Sequence, residues 1–366
     1  MQAIVLVGGE GTRLRPLTTT IPKPLLPIVG VAFLERQLAW LASHGVDDVV
    51  LSLGYLPDAF QAHFPDDRCG DVRLRYAIES QPLGTAGAIR FAAATIGIEE
   101  RFVVCNGDVL TTLDLTSLVS FHAEHRAEAT IHLTRVDDPS AFGVVPTQEN
   151  GEVKAFVEKP PPGTAPTDWI NAGTYVLEPS VLAGVQPDLM VSIERETFPR
   201  MLDERRRLVA HGTDDYWLDI GTPDKYLRAH HDVLAGELAF PPAPGAHEVA
   251  PGIWAIGAHD IAPDAVLTAP VFLDVKSVVG AAARLTDATL GTGATVGAGS
   301  SVENAVVAAG ARVGERARVV DSIIGPDAVV GDDAVVIDHS VVGAGARVDP
   351  GSNLARTRVE LSAAAG

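Results

Sequence analysis

The sequence is poor in cysteine, in long apolar runs and in net positive charge, and each shortage excludes a class of protein. Two cysteines in 366 residues, Cys69 and Cys105, exclude a disulfide framework and favour a reducing, cytoplasmic setting. No apolar run is long enough to span a bilayer, and the first residues lack the pattern of a signal peptide, so we expect neither membrane insertion nor export. The formal net charge of −19 argues against a general nucleic-acid-binding surface.

A glycine-rich segment near the start carries the strongest chemical signal. Residues 8–24 read GGEGTRLRPLTTTIPKP and directly follow the apolar run 3–7, which is typical of a buried strand. Glycines let a backbone approach a ligand closely, and free N–H groups in such a loop form a concavity that binds anions. Arg13 and Lys23 add permanent positive charge. The pattern lacks the Lys-Ser/Thr pair of a P-loop and has Leu14 where a Rossmann fingerprint needs its third glycine. It therefore predicts a polyphosphate site of another kind.

The first two thirds of the chain alternate strand-like and helix-like segments. Residues 49–53, 102–105 and 131–133 are predicted strands, and residues 33–43 have the pattern of a helix. Such alternation favours an α/β domain with a mixed, mostly parallel, Rossmann-like sheet. Because ligands bind beyond the carboxyl ends of parallel strands, the glycine-rich loop and Asp108 are candidate site elements. Taken alone, Asp108 is more typical of an Asx turn than of a metal ligand.

The composition changes near Gly236. Residues 240–245 are rich in proline and glycine and predict a linker. Short units of six residues follow, each led by an aliphatic side chain and then glycine, a period typical of a parallel β-helix, which the pattern resembles in its left-handed form. We therefore predict a catalytic domain at 1–235, a linker at 236–256 and a left-handed β-helix of hexapeptide repeats at 257–366. The aliphatic leads, expected to point inward, are Leu290, Val296, Val313, Ile324, Val330 and Val342.

The glycine-rich segment resembles the signature of the sugar-1-phosphate nucleotidyltransferases, G-G-x-G-T-R-L-x-P-L-T followed by P-K-P. Further segments resemble this family in the same order: ESQPLGTAG at 79–87, NGD at 106–108, FVEKP at 156–160, WINAGTY at 169–175 and YWLDIGTP at 216–223. Together they cover most of the chain up to about residue 235. The resemblance implies an enzyme that joins a nucleoside triphosphate to a sugar 1-phosphate and releases pyrophosphate.

The resemblance also implies roles for individual residues. Mg²⁺ would be held by Asp108 and Asp219, which with Arg13 and Lys23 form the expected catalytic set. Residues expected at the nucleotide are Leu6, Gly8, Gly9, Gly11, Thr12, Arg13, Glu79, Pro82, Gly84, Thr85 and Asp108. Residues expected at the sugar phosphate are Glu158, Lys159, Asn171 and Gly173. The attacking phosphate oxygen is already anionic, so His44, His122 and His211 need no catalytic role.

Glu79 bears on the choice of base. A carboxylate only accepts hydrogen bonds, and guanine offers adjacent N1–H and N2–H donors on one edge. Glu79 is equally compatible with a solvated charge or a sugar contact. The segments as a whole are most similar to the guanylyltransferases that take mannose 1-phosphate, so GTP and mannose 1-phosphate are the expected substrates.

Three alternatives remain open from the sequence. A glucose-1-phosphate thymidylyl- or adenylyltransferase would share the core motifs. A regulatory homologue without turnover would be expected to have lost Arg13, Lys23, Asp108 or Asp219, and all four are present. An acyltransferase of the β-helix type would need a histidine base, for which only His339 lies within the repeats. The β-helix more simply predicts assembly into a homo-oligomer or a site for an effector.

Overall fold

The computed structural model describes residues 1–238 and 243–361. The part before residue 239 contains fourteen of the described strands and six α-helices. The strands are β1 (Gln2–Leu6), β2 (Pro27–Ile28), β3 (Val31–Ala32), β4 (Asp48–Leu53), β5 (Arg68–Cys69), β6 (Val72–Ile78), β7 (Phe102–Asn106), β8 (Val109–Thr111), β9 (Ala129–Arg135), β10 (Gly143–Val144), β11 (Val157–Glu158), β12 (Trp169–Leu177), β13 (Leu208–Gly212) and β14 (Trp217–Asp219). The helices are α1 (Phe33–Ser43), α2 (Pro57–His63), α3 (Gly84–Ile96), α4 (Leu115–Glu124), α5 (Phe198–Asp203) and α6 (Pro223–Ala235).

Short helical turns join several of these elements. One-turn 3₁₀ helices lie at Thr12–Leu14, Leu17–Thr19, Lys23–Leu25 and Pro139–Ala141, a longer one at Pro179–Gly184, and a π-helical turn at Ile193–Thr197. Three of the four one-turn helices fall in the glycine-rich segment, which therefore has no long regular element of its own.

The main sheet, counted over the described residues, has ten strands in the order β11-β10-β12-β7-β1-β4-β6-β5, with β9 and β13 joined through β12. Its centre is parallel, since β1 pairs in parallel with both β4 and β7, and β4 does so with β6. The β12 strand runs antiparallel to β7 and β9. The predicted mixed sheet with a parallel centre is confirmed, and the predicted strands and helix correspond to β4, β7, β9 and α1.

The C-terminal part is a parallel β-helix preceded by a hairpin. Its strands are β15 (His247–Ala250), β16 (Ile253–Ala255), β17 (Asp260–Ile261), β18 (Val266–Leu273), β19 (Val278–Val279), β20 (Arg284–Leu290), β21 (Thr295–Val296), β22 (Ser301–Val307), β23 (Arg312–Val313), β24 (Arg318–Val320), β25 (Ile323–Ile324), β26 (Val329–Val330), β27 (Val335–Ile337), β28 (Val341–Val342), β29 (Arg347–Val348), β30 (Asn353–Ala355) and β31 (Arg358–Val359). Among its described strands, only the first pair, β15 with β16, is antiparallel. The others stack in parallel on successive coils.

The β-helix follows from its repeat. Side chains that meet on adjacent coils are seventeen or eighteen residues apart, as Asn304 and Asp321 or Asp274 and Thr292 are, so three hexapeptides make one coil. The six predicted inward aliphatic side chains are all at most 2% exposed, which confirms their direction. Asp and Asn as well as glycine occupy corners with positive φ, because these polar residues tolerate the left-handed region. His339, the candidate base of the acyltransferase alternative, is such a corner residue with a φ of 59°.

The contacts divide the chain into two compact units. One comprises Met1–Gly9 and Leu34–Trp217, and the other comprises Glu10–Phe33 and the described residues from Leu218 onward. This division differs from the predicted boundaries at 235 and 257, which stay a prediction. The strands β15 and β16 lie within the segment predicted as a linker, and residues 239–242 of its proline-rich run lie outside the described residues.

Two further sequence expectations concern cysteines and membranes. Cys69 and Cys105 are both free thiols, and burial raises the pKa of Cys105 to about 12, so this thiol is not an activated nucleophile. Across residues 1–238 and 243–361, no helix has the length and apolar character needed to cross a membrane.

The buried His132 should make the stability depend on pH. It lies on β9 at 1% exposure, where its Nε2 is 2.8 Å from Thr213 Oγ1. Burial, with a smaller contribution from His211, lowers the pKa of His132 from 6.5 to about 3. Between these two values the unfolded chain binds the proton and the folded chain does not. The contribution of the neutral His132 to the free energy of unfolding is therefore fully present above pH 6.5 and is lost as the pH falls towards 3.

We expect His132→Gln to flatten this dependence. The measurement is the free energy of unfolding from urea titrations between pH 4 and 8. The control is His247→Gln at an exposed position of β15, which should leave the slope unchanged. An unaltered slope in His132→Gln would contradict the assignment.

Candidate active site

The carboxyl ends of the central parallel strands bring four loops to one edge of the main sheet. Leu6, the last residue of β1, pairs with Ser52 of β4 and with Asn106 of β7. The loop that begins with Gly8 therefore lies between the loop after β4 and the Asn106–Asp108 turn. A Cβ on Gly107 would lie 2.3 Å from Val7 Cγ1 and 2.7 Å from Leu6 O, so only glycine fits there. This tight turn places Asp108 immediately beyond the strand ends.

Glu79 holds the loop that follows β6. Ser52 Oγ donates to Glu79 Oε1 at 3.0 Å, and the Leu83 N–H donates to Glu79 Oε2 at 3.1 Å. A Cβ on Gly8 would come 3.8 Å from Glu79 Oε1, so the carboxylate borders the glycine loop. Each Glu79 oxygen thus accepts one hydrogen bond from within the protein. The contact with guanine stays a prediction, and it would use the lone pairs that these bonds leave free.

Pro82 is exposed, and helix α3 begins two residues later with a glycine in the left-handed region. Gly84 has a φ of 68°, and a Cβ on it would lie 2.7 Å from Val191 O. Thr85 Oγ1 donates to Glu194 Oε2 at 2.7 Å and accepts from the Ile193 N–H at 2.8 Å. Gly84 therefore allows close backbone packing, and Thr85 fastens the start of α3 to the 191–194 segment.

Asn171 and Gly173 shape a bulge in β12 beside β7. Asn171 Nδ2 donates to Tyr175 Oη at 2.7 Å, and Asn171 Oδ1 accepts from the Gly173 N–H at 3.0 Å. Gly173 has a φ of 78°, and a Cβ on it would lie 2.5 Å from Asn106 Nδ2. The bulge therefore places Gly173 against Asn106, the last residue of β7, which precedes Asp108 by two residues.

Glu158 and Lys159 lie on and just after β11, in a group that contains a second cation. Glu158 Oε1 is 3.9 Å from Lys159 Nζ and 3.7 Å from Arg195 Nη2. Glu158 is 24% exposed, whereas the side chains of Lys159 and Arg195 are 60% and 64% exposed. One shielded carboxylate therefore orients two accessible cations.

From Glu10 onward the glycine-rich segment belongs to the other compact unit, where it folds on itself. A Cβ on Gly11, whose φ is 61°, would lie 3.1 Å from both Thr18 Cγ2 and Lys23 Cβ. Thr18 Oγ1 also donates to Gly11 O at 2.9 Å, and Leu14 is fully buried. This packing leaves Thr12 and Arg13 exposed. The segment therefore presents the Arg13 cation and holds Lys23 Cβ close to Gly11.

Asp219 lies in the same compact unit, close to Arg13. A Cβ on Gly221 would lie 2.8 Å from Arg13 Nη2 and 3.2 Å from Asp219 Oδ2, so Arg13 and Asp219 flank this glycine. Asp219 also forms an ion pair with Lys225 of α6, and its side chain is 17% exposed. A partly shielded carboxylate between two cations is arranged to balance charge around a highly anionic ligand.

The predicted carboxylate ligands fit a divalent metal that also binds phosphate oxygens of the substrate. Carboxylate oxygens are hard ligands suited to Mg²⁺, which commonly takes one or two of them together with phosphate oxygens and water. Among the residues that the structure describes, no group of three or more His, Cys, Asp or Glu side chains is arranged to hold a metal. A site made by protein ligands alone is thus not seen in that part of the chain, whereas a site with two carboxylates needs the substrate to complete it.

The structure places every predicted site residue and adds three that the sequence argument missed. Leu6, Gly8, Glu79, Asp108, Asn171 and Gly173 lie at or beside the carboxyl edge of the main sheet, with Gly9 exposed in the loop after β1. The missed residues are Glu194, Arg195 and Lys225. The I-E-R-E segment and the lysine after D-I-G-T-P were readable signals, but charged surface residues of this kind have no fixed spacing from their partners.

Comparison with known proteins agrees with this geometry. The family model described as nucleotidyl transferase matches residues 2–236, and a second model, described as GMPPB C-terminal domain, matches residues 267–363. The chain belongs to the nucleotidyl transferase family. This assignment agrees with the resemblance of the glycine-rich segment, which lies wholly within the matched residues.

Relatives of the transferase carry one activity in their names. A mannose-1-phosphate guanylyltransferase of Mycobacterium tuberculosis is 39% identical over 297 residues, which is 80% of each chain. A mannose-1-phosphate guanyltransferase of Schizosaccharomyces pombe is 39% identical over 231 residues, which is 62% of each chain. The alignment with the yeast relative therefore spans less than two thirds of that protein.

Solved structures match a little under two thirds of the chain. HddC from Yersinia pseudotuberculosis, complexed with GMP-PN, is 32% identical with a TM-score of 0.54, and the match covers 63% of this chain and 97% of that one. A UDP-glucose pyrophosphorylase complexed with UDP-glucose has a TM-score of 0.55 at 24% identity, which supports the fold alone.

Proposed function

We propose that this transferase makes GDP-mannose from GTP and mannose 1-phosphate, with release of pyrophosphate. The observation that carries the proposal is the grouping of Arg13, Gly221 and Asp219, in which a cation and a carboxylate both pack so closely on a glycine that no side chain would fit there. The nucleotide and sugar are proposed from the names of the relatives and from the order of the motifs.

The proposed reaction is an in-line displacement at the α-phosphorus. An oxygen of the sugar phosphate attacks, a new P–O bond forms, and the bond to the pyrophosphate leaving group breaks. The attacking oxygen is already deprotonated at neutral pH, so no side chain has to remove a proton. The protein then contributes position and charge neutralisation.

The cations divide between the two substrates. Arg13 would neutralise the triphosphate and the leaving pyrophosphate, and Lys23 would contact phosphate near the reacting centre. Lys159, oriented by Glu158, would hold the phosphate of the nucleophile, and Arg195 would add a second charge on the same carboxylate. Asn171 and Gly173 would line the sugar, with the bulge in β12 fixing their orientation.

Asp108 and Asp219 are proposed to supply the carboxylate ligands of a Mg²⁺ ion. When bound, the ion would offset negative charge on the phosphates. Lys225 would then share the Asp219 carboxylate with the metal. The two free cysteines support a reducing, cytoplasmic location, and the β-helix supports assembly into a homo-oligomer.

A substrate panel tests the proposal directly. Pyrophosphate release is measured with Mg²⁺ while GTP, dTTP, ATP and UTP are crossed with mannose, glucose and N-acetylglucosamine 1-phosphates. We expect the highest kcat/KM for GTP with mannose 1-phosphate. Preference for dTTP or ATP with glucose 1-phosphate would replace the substrates and keep the reaction, whereas no turnover from folded protein would favour a regulatory homologue.

Asp108→Asn should lower turnover about a hundredfold or more, because removing one preorganised charged group commonly costs 10²–10³ in rate. The substitution keeps the shape of the side chain and removes its charge. Turnover is measured at saturating substrates, and circular dichroism verifies the fold. Turnover close to that of the unmodified enzyme would remove Asp108 from the metal site.

Lys159→Ala should raise KM for the sugar phosphate and leave KM for the nucleotide unchanged, because its cation is assigned to the nucleophile. Arg195→Ala should act in the same direction with a smaller effect, since its guanidinium is proposed only as an added charge 3.7 Å from the Glu158 carboxylate. Both KM values are measured for each variant, with the exposed Lys154→Ala as control. A change confined to the nucleotide KM would reverse the two subsites.

A further inference from the structure

A stripe of side chains on the outer face of the β-helix is buried. Phe272, Thr289, Val306, Ile323 and Val341 are in register on successive coils, each directly before an inward-facing residue. Because side chains alternate along a strand, these five point away from the axis of the β-helix. Each is nevertheless at most 4% exposed. Other parts of the molecule must therefore cover them.

Helix α6 supplies part of the cover. It packs against β18, β20 and β22, which carry the first three residues of the stripe. His230 of α6 has its Nδ1 3.0 Å from Thr289 Oγ1, and the same nitrogen accepts from the Val29 N–H at 3.4 Å. Tyr226 Oη of α6 donates to Pro27 O. The helix thus joins the stripe to the β2–β3 turn, which follows the glycine-rich segment in the chain.

The segment Glu10–Phe33, which contains most of the glycine-rich segment, also contacts the β-helix directly. A Cβ on Gly30, in the β2–β3 turn, would lie 3.2 Å from Phe272 Cζ. A Cβ on Gly343, which follows β28, would lie 2.9 Å from Pro16 Cγ. Two points of the segment, one on each side of Lys23 in the chain, therefore rest on the β-helix.

We propose that this stripe is a positioning surface for Arg13 and Lys23, and that Phe272 and Gly343 are its positioning residues. The assignment of those two cations to the triphosphate rests on the proposed function. The segment from Glu10 to Phe33 contains only one-turn helices and a two-residue hairpin, so its own hydrogen bonds fix it weakly. A stack of coils is a rigid support for such a segment, and it holds α6, which follows Asp219, in the same way.

Gly343→Ala is the most direct test, because its new methyl group would push on Pro16. Gly325→Ala is the matched control: Gly325 occupies the same corner one coil earlier, where its Cβ would meet Val342 O at 2.7 Å and Ala344 N at 3.0 Å. Alanine already occupies this corner at Ala308, one coil before Gly325. Both variants crowd the β-helix, but only Gly343→Ala presses on the glycine-rich segment.

We expect Gly343→Ala to raise the nucleotide KM or lower kcat about ten- to a hundredfold, because small displacements of catalytic groups have effects of that size. The sugar-phosphate KM should stay unchanged, since Lys159 lies in the other unit. Gly325→Ala should lower the melting temperature without changing either KM. A similar kinetic effect in both variants would reduce the contact to general stability and overturn the proposal.

Phe272→Ala and Phe272→Leu form a second, graded pair. Alanine removes the support beneath Gly30, whereas leucine refills much of the space, so leucine should restore most of the nucleotide affinity. An unchanged nucleotide KM in folded Phe272→Ala would contradict the proposal.

Amide hydrogen exchange separates this inference from the proposed function. Residues 11–31 should exchange faster in Phe272→Ala than in the unmodified protein, whatever the substrates are. If the substrate panel shows no turnover and exchange still rises in this segment, the proposed function fails and the positioning role stands. Unchanged exchange in residues 11–31 would overturn the positioning role even in an active enzyme.

Discussion

The parallel pairing of β1 with both β4 and β7 is the constraint on which the main sheet unit depends. With Leu6 held between Ser52 and Asn106, the loops that follow these strands have to emerge at the same edge. The space there is so small that Gly107 cannot carry a side chain. This crowding fixes Asp108, and the bulge at Asn171–Gly173 brings the segment expected at the sugar against the same strand end. The chemistry of this unit follows from backbone packing before any charged side chain is considered.

The second unit depends on a different constraint, the burial of apolar side chains on the outside of a β-helix. A β-helix with polar outer faces would be complete without a partner. Here Phe272, Ile323 and Val341 point outward and are buried, and α6 together with residues near Pro16 and Gly30 supplies part of their cover. The same contacts hold Arg13, Lys23 and Asp219 in one compact unit. The coils that carry the stripe therefore support the residues proposed for catalysis as well as the fold of the unit.

Charge is distributed in this molecule according to the proposed reaction. The chain as a whole carries a net charge of −19, yet the residues proposed for the reaction include five cations, Arg13, Lys23, Lys159, Arg195 and Lys225. Glu158 and Asp219 each lie beside two of these cations, so the carboxylates limit their motion and balance their charge. A phosphoryl-transfer site of this kind needs such preorganisation more than it needs a titrating base, in agreement with the placement of His132 and Cys105 as buried structural groups.

The sequence by itself determined the local features of this protein. The apolar run before the glycines, the strand before Asp108 and the six-residue period all express short-range rules of periodicity and backbone freedom, and the structure has β1, β7 and the inward aliphatic residues where those rules place them. Only the tertiary structure decided which residues distant in the chain form hydrogen bonds and ion pairs with one another. Glu79 accepts from Ser52 and Leu83, Thr85 donates to Glu194, and Lys225 pairs with Asp219. It also decided that the outward-facing Phe272 is covered, because an apolar residue at an outward position of a repeat has the same sequence pattern whether water or another segment lies against it.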